Sequence, residues 1–235
     1  MQYSYSIVVP FYNEEKNIYL FLDEIIVVIQ NIKIINIFEI ICINDGSKDN
    51  TYNLLENYKS NHEFIKIYNL NKNQGQSNAI YIGVKNAKYE NIITIDGDCQ
   101  NDPKDIINMI NFYQKDPSIS LLAGERIKRI DSIIKIISSK IANRFRNFIF
   151  KDGCKDTGCS LKIFKKKIFL QIPFFDGVHR FIPSIFVGFG CNVRYINVNH
   201  RPRRNGHSKY GISNRLFKGL RDIFVVRQII QNRSK

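Results

Sequence analysis

The stretch "IITIDGDCQNDP", Ile92 to Pro103, runs four residues of buried-strand character straight into three closely spaced oxygen-bearing side chains, Asp96, Asp98 and Gln100, before a proline stops the chain. Alternate residues at a strand end project to one side. Carboxylates two apart can therefore share one hard cation and leave its remaining coordination positions open to water and phosphate oxygens. The pattern reads as a divalent-metal site for a diphosphate. Taken alone, it fits equally an ordinary strand-to-helix turn in which Asp98 caps the helix that Asp102 and Pro103 open.

The segments around this stretch decide its fold context. Short runs rich in Ile and Val, each ending in polar or small residues, lie at 5–11, 38–45, 64–70 and 91–98. Helical patterns occupy about 14–32, 49–60 and 76–87. Strand-helix alternation of this kind predicts an α/β fold with a mostly parallel sheet covered by helices on both faces. Ligands on such sheets bind beyond the carboxyl ends of the strands, where the polar residues fall here. The second half is less regular. It has a strand pattern at 120–123, an amphipathic segment at 129–150, the motif "KDGCKDTGCSLKIFKKK", a helix near 176–188, a strand at 191–200, a basic loop "RPRRNGHSKYG" and an amphipathic helix over 212–232.

Bulk properties narrow the class. With 235 residues, 44% hydrophobic and 24% charged, the chain is globular and long enough for one sizeable domain. We expect a nucleotide-sugar-binding half over 1–118, an acceptor-binding half over 119–211 and a C-terminal amphipathic helix over 212–235. A net charge of +14 points to an anionic partner: nucleic acid, a phosphorylated small molecule or an acidic membrane face. No apolar run reaches the roughly 18 to 20 residues that span a bilayer. The N-terminus lacks the pattern of a signal peptide, so a cytoplasmic protein with peripheral membrane contact is expected. Five cysteines without paired C-x-x-C spacing read as reduced thiols in or near the core.

The other strand ends supply more chemistry. "VVPFYNEE" places Tyr12, Asn13 and Glu14 after the first strand, and "INDGSKDNT" places Asn44, Asp45, Gly46 and Ser47 after the second. A planar ring and a nearby carboxylate suit a nucleobase, by stacking and by accepting an N–H bond. Packing for Tyr12 and a plain turn for D-G-S are the ordinary alternatives.

The succession "VVPFYNEE", "INDGSKDNT", "NKNQGQSNAIYIG", "IDGDCQNDP", "GERIKR", "DTGCSLKIFKK" and "NHRPRRNGHSKYGISNRL" resembles family 2 glycosyltransferases of the GT-A fold, over about residues 4–227. Within them it is most similar to dolichyl- or polyprenyl-phosphate mannose and glucose synthases, through its R-x-x-G-x-S-K-Y-G and D-T-G-C-S-L-K elements. The resemblance implies that Pro10, Tyr12, Glu14, Asp45 and Gly75, with Asp96, line the nucleotide pocket. It also implies that Asp96, Asp98 and Gln100 form the D-x-D-x-Q metal motif for Mg2+ or Mn2+. Asn44 stands where relatives usually carry a first Asp, and Gln76 where many carry a basic residue. These departures bear on the donor, not on the fold.

The implied reaction moves a hexose, with inversion, from GDP-mannose or UDP-glucose to polyprenyl phosphate at the cytoplasmic membrane face. A lipid phosphate is already anionic near neutral pH and needs no general base, only desolvation and aim. Cations are needed instead, and Arg126, Arg204 and Lys209 are assigned to it. Ser139 is a weaker phosphate candidate. Asp156 fits a sugar hydroxyl or a turn cap, and His179 fits the donor phosphates or a structural role. Segments 129–150 and 212–232 are amphipathic with flanking cations, as interfacial helices and core-facing helices both are. A membrane-embedded partner protein is compatible with this arrangement.

Other classes fit less well. Basic and aromatic residues form no nucleic-acid-binding pattern, and the acidic triplet repels phosphate unless a metal intervenes, so no nucleic-acid partner is expected. A processive polysaccharide synthase needs a Q-x-x-R-W element, and the chain has no Trp. A nucleotidyltransferase wants a Gly- and Arg-rich loop after the first strand. A family 2 enzyme acting on a sugar hydroxyl, or a non-catalytic nucleotide-sugar-binding subunit, remains as the alternative.

Overall fold

The computed structural model describes residues 3–32, 35–127, 143–203 and 213–233. Seven strands form one sheet in the order β3-β2-β1-β4-β6-β5-β7. The strands are β1 (Tyr3–Phe11), β2 (Ile35–Asn44), β3 (Ile65–Asn69), β4 (Asn91–Thr94), β5 (Ile119–Arg126), β6 (Lys162–Lys165) and β7 (Asn192–Val198). β1 pairs in parallel with both β2 and β4, and its "IVVP" run is apolar because both faces of a central parallel strand are covered. Alternation then sorts the side chains. Ile7, Val9, Ile40 and Cys42 face one layer, whereas Val8, Ile41 and Ile43 face the other.

Helices α1 (Ile18–Gln30), α2 (Thr51–Lys59) and α4 (Asp105–Lys115) cover the first face through Phe21, Leu22, Ile25, Leu55, Met109 and Ile110. The opposite face carries α3 (Gln76–Asn86), α5 (residues 143–150), α7 (Val178–Gly188) and α8 (Ser213–Arg233), with the short α6 (Lys166–Phe169) beside them. Four cysteines are buried and Cys191 is half-buried, all as free thiols.

Two departures from the sequence expectation place the site. β4 ends at Thr94 rather than continuing to residue 98. Beyond the Ile95 N–H bond to the Val8 carbonyl, the next amide, on Asp96, donates to the Ser160 side chain instead of a strand. β6 inserts antiparallel between β4 and β5, so residues of the second half lie directly beside the strand that carries Asp96. The expected phosphate-contacting residues Ser139, Arg204 and Lys209 lie outside the described residues.

Gly97 fixes the path of the acidic stretch. A Cβ there would lie 2.1 Å from Cε1 of Phe11, a fully buried ring packed edge-on against Phe21. Gly97→Ala is expected to destabilise the fold by about 1–3 kcal/mol, because the ring has no room to yield. Urea denaturation of Gly97→Ala, Phe11→Leu and the double variant tests this. The double variant should lose less than the two single losses combined, and strict additivity would contradict the contact.

Candidate active site

The site is built from loops at the carboxyl ends of β1, β2 and β4. The first two are laced together by directed hydrogen bonds. Asn13, whose φ of +50° is one that Asn tolerates, donates its N–H to Ser47 Oγ (2.9 Å) and accepts from Lys48 N–H (2.8 Å). Glu14 N–H reaches Thr51 Oγ1 at 2.9 Å. A rigid shelf results, with Pro10 and the half-buried Tyr12 along it.

Asp45 holds the next loop. Its oxygens accept from Gln74 N–H (2.8 Å), Gly75 N–H (2.9 Å) and Asn73 Nδ2 (2.9 Å). Burial raises its carboxyl above the usual range, and the Gln74 and Gly75 amides draw it back down. Gly46 beside it has φ +64°, and a Cβ there would meet the Lys72 backbone at 2.3 Å. Asp45 and Gly46 together therefore clamp the 72–75 loop and aim the start of α3. From there Gln76 Nε2 donates to Asp96 Oδ1 at 2.7 Å.

Asp96 lies close enough to Asp98 to feel its charge, and Asp98 and Gln100 share a partner in Arg203. Asp98 Oδ1 accepts the Gln100 N–H (3.1 Å), a local turn eased by the positive φ of Cys99. Asp98 does not cap α4; Asp102 bonds the Lys104 N–H at that entrance. Asp98 Oδ2 and Gln100 Oε1 both accept from one nitrogen, Arg203 Nη2, at 2.5 and 3.4 Å, and Arg203 Nη1 reaches Glu14 Oε1 at 3.4 Å. Glu14 also accepts from Asn17 Nδ2 at 2.6 Å.

Burial and then the Asp98 charge raise the Asp96 carboxyl to about 7, with Lys162, Ser160 and Arg126 opposing. Lys162 is buried on β6 and donates to the Cys159 carbonyl. Ser160 accepts the Asp96 N–H (3.1 Å) and donates to Asn101 Oδ1 (2.9 Å).

These groups fit a divalent cation. Two oxygens already converge on one cationic nitrogen, and Asp96, half-buried next to Asp98, is a carboxyl held toward its neutral form by burial and by the neighbouring charge. Among the described residues no group of three or more His, Cys, Asp and Glu forms a cage. Two carboxylates and an amide would leave about half of an octahedral coordination sphere to water and phosphate oxygens, as a nucleotide-bound Mg2+ or Mn2+ requires.

The remaining candidates are paired differently. Arg126 makes a forked ion pair with Asp156, Nε to Oδ2 at 2.6 Å and Nη2 to Oδ1 at 2.8 Å. His179 Nδ1 lies 2.6 Å from Ser77 Oγ at the start of α3, and Ser77 Oγ also accepts the Gly177 N–H (2.8 Å). Arg180 bonds Asp222 of α8 at 3.1 Å.

Sequence reading misses Arg203 and Lys162. The signal for the first was present: in "RPRRNG" the R-x-x-G spacing begins at Arg203, because Gly206 lies three residues on, whereas the sequence reading assigns Arg204. Lys162 gives no local signal, since its proximity to Asp96 depends on β6 pairing with β4.

A family profile described as "Glycosyl transferase family 2" matches residues 6–172. The chain belongs to glycosyl transferase family 2. It is 34% identical over 225 residues to a dodecaprenyl-phosphate galacturonate synthase of Rhizobium johnstonii, covering 94% of this chain and 65% of that protein. It is 30% identical over 210 residues to an undecaprenyl-phosphate 4-deoxy-4-formamido-L-arabinose transferase of Shewanella sediminis, covering 89% and 62%. The chain thus spans just under two thirds of the length of these curated relatives. In fold it is similar to glucosyl-3-phosphoglycerate synthase from Mycobacterium tuberculosis, solved with Mn2+, uridine diphosphate and glucosyl-3-phosphoglycerate. That likeness has a TM-score of 0.71 at 15% identity and covers 95% of this chain and 78% of that one. The sheet and helix arrangement of this family 2 member is the GT-A fold.

The raised Asp96 carboxyl yields a pH-dependent test. Stability conferred by its protonated form is complete below its unfolded value, about 4, and is lost as pH rises through about 7. In chelator-treated protein, the melting temperature relative to Asp96→Asn should therefore fall between pH 5 and pH 8. Mn2+ at pH 8 should raise it for the parent but not for the variant. An equal Mn2+ response in both proteins would remove Asp96 from the metal site.

Proposed function

We propose that this chain transfers a sugar, with inversion, from a nucleotide-diphosphate donor to a polyprenyl phosphate, using Mg2+ or Mn2+ held by Asp96, Asp98 and Gln100. The observation that carries the reading is the convergence of Asp98 Oδ2 and Gln100 Oε1 on a single cationic nitrogen, just beyond the end of β4, in a glycosyl transferase family 2 fold. A divalent ion at that position would neutralise charge that builds on the departing diphosphate. Tyr12 and Pro10 on the shelf would take the base. Asp45 would support it together with Gly75, through the loop it clamps, and Glu14 would border the diphosphate.

The acceptor assignment draws on the names of the two relatives, both of which act on polyprenyl phosphates, and on the motif around Gly206. In the transfer a phosphate oxygen of the lipid forms a bond to the anomeric carbon as the bond from that carbon to the donor diphosphate breaks, releasing a nucleoside diphosphate. No general base is required. Consistent with this, both oxygens of Asp156 are taken by Arg126. Arg126, Arg204 and Lys209 are the cations assigned to the lipid phosphate.

A lipid acceptor requires a membrane-facing surface. On α5, Phe145 and Phe148 are 48% and 81% exposed beside Arg144 and Lys151. On α8, Phe224 is 72% exposed between the exposed Arg221 and Arg227. Aromatic side chains flanked by cations suit an anionic headgroup layer, here the cytoplasmic face. No helix among the described residues is long and apolar enough to cross a membrane.

A panel of GDP-mannose, UDP-glucose and nucleotide-linked galacturonate and 4-deoxy-4-formamido-L-arabinose, offered with polyprenyl phosphate in anionic vesicles, tests the proposal. Lipid-linked sugar should form from one donor with Mg2+ or Mn2+ and fall to background in folded Asp98→Ala. Glycosylation of soluble sugar hydroxyls in place of the lipid would refute the acceptor, and donor binding without any turnover would refute catalysis.

A further inference from the structure

We propose that Arg203 is a resident counter-cation that holds the metal site against free divalent ions and yields it to a metal that arrives with a nucleotide diphosphate. The inference rests on the metal site proposed above and concerns how that site is loaded.

The geometry makes guanidinium and metal mutually exclusive. Arg203 Nη2 takes Asp98 Oδ2 at 2.5 Å and Gln100 Oε1 at 3.4 Å, the two oxygens a bound cation would use. A divalent ion sits about 2.1 Å from its oxygen ligands and demands their lone pairs, so it cannot enter while that nitrogen stays.

Arg203 is also held close by its neighbours. The Arg201 N–H donates to the Gln100 carbonyl at 2.8 Å, and its guanidinium bridges Glu24 (2.6 Å) and Asp102 (2.7 Å). His200 forms a bridge to Asn101. The segment carrying Arg203 is thus fastened to the metal loop itself, which gives the guanidinium a high effective concentration at Asp98.

Charge balance sets the preference. Around the site stand the carboxylates of Glu14, Asp96 and Asp98 and the cations Arg203 and Lys162. With all three carboxylates ionised, this set is one charge negative. A bare divalent ion must expel the tethered Arg, and it leaves that guanidinium with Glu14 as its remaining carboxylate partner among the described residues. A metal with a diphosphate brings the anion that accepts the expelled guanidinium, for which forked Arg contacts are well suited. Glu14 lies on the nucleotide shelf, so Arg203 links that shelf to the metal loop.

Calorimetric titration of chelator-stripped protein with MnCl2, alone and with UDP or GDP, tests this. The parent should bind Mn2+ at least about 10-fold more tightly when the nucleoside diphosphate is present. Arg203→Gln should bind Mn2+ alone about 5-fold more tightly than the parent and lose most of that coupling. Arg203→Lys keeps the charge but not the fork. It should tighten Mn2+ alone by a smaller factor, about 2-fold, and it serves if the Gln variant fails to fold. Mn2+ affinity unchanged or weaker in a folded Arg203 variant would overturn the proposal while leaving the metal site in place. Absence of Mn2+ binding in every protein, with or without nucleotide, would overturn both.

Discussion

Two carboxylates placed two residues apart beyond β4 repel each other, the more buried environment of Asp96 resists its ionisation, and the architecture around β4 answers that constraint. Asp96 receives the Gln76 amide from α3, its backbone is held by Ser160, and the buried Lys162 stands behind it on β6. Asp98 receives Arg203 from the segment after β7. Three separate parts of the chain therefore converge on one short acidic stretch. Charge in such a setting is stable only when compensated, and the incomplete compensation at Asp96 is what the proposed cation would supply.

The sheet order explains how the compensation is delivered. In an unbroken parallel sheet, every strand would bring its carboxyl end to the crevice. The antiparallel β6 reverses this and enters beside Asp96 from the D-T-G-C-S element, so Ser160 and Lys162 are supplied at the strand start. The same element carries Asp156, only a few residues before Ser160 and Lys162, and ties it to Arg126 at the end of β5. Close approach is the other requirement: Gly97 lies against the Phe11 ring and Gly46 against the 72–73 backbone, and neither site tolerates a side chain.

What the sequence made legible was local. The apolar runs of β1 to β4, the polar residues at their ends and the D-x-D-x-Q spacing can all be read without coordinates, and so can family membership. Relations between distant segments were hidden. Nothing near Asp45 reveals that its oxygens are occupied by the 73–75 loop, and nothing near Arg126 or Asp156 reveals that they pair. The start of α1 at Ile18 rather than near residue 14 follows from Glu14 and Asn13 being committed to the β2 loop, which keeps that segment extended and turned. Arg203 was visible in its motif spacing, yet its partner set depends on how the segment after β7 is pinned to the 98–102 loop.

In the proposed complex, metal and diphosphate meet at Asp98 and Gln100. Crystals grown with Mn2+ and a nucleoside diphosphate, with data collected at the manganese edge, test it most directly. The account predicts an anomalous peak within coordinating distance of Asp98 and Gln100, facing Asp96, with the base on the Tyr12 shelf and Arg203 moved off Asp98. A manganese peak elsewhere, or a nucleotide bound away from the carboxyl ends of β1, β2 and β4, would contradict it.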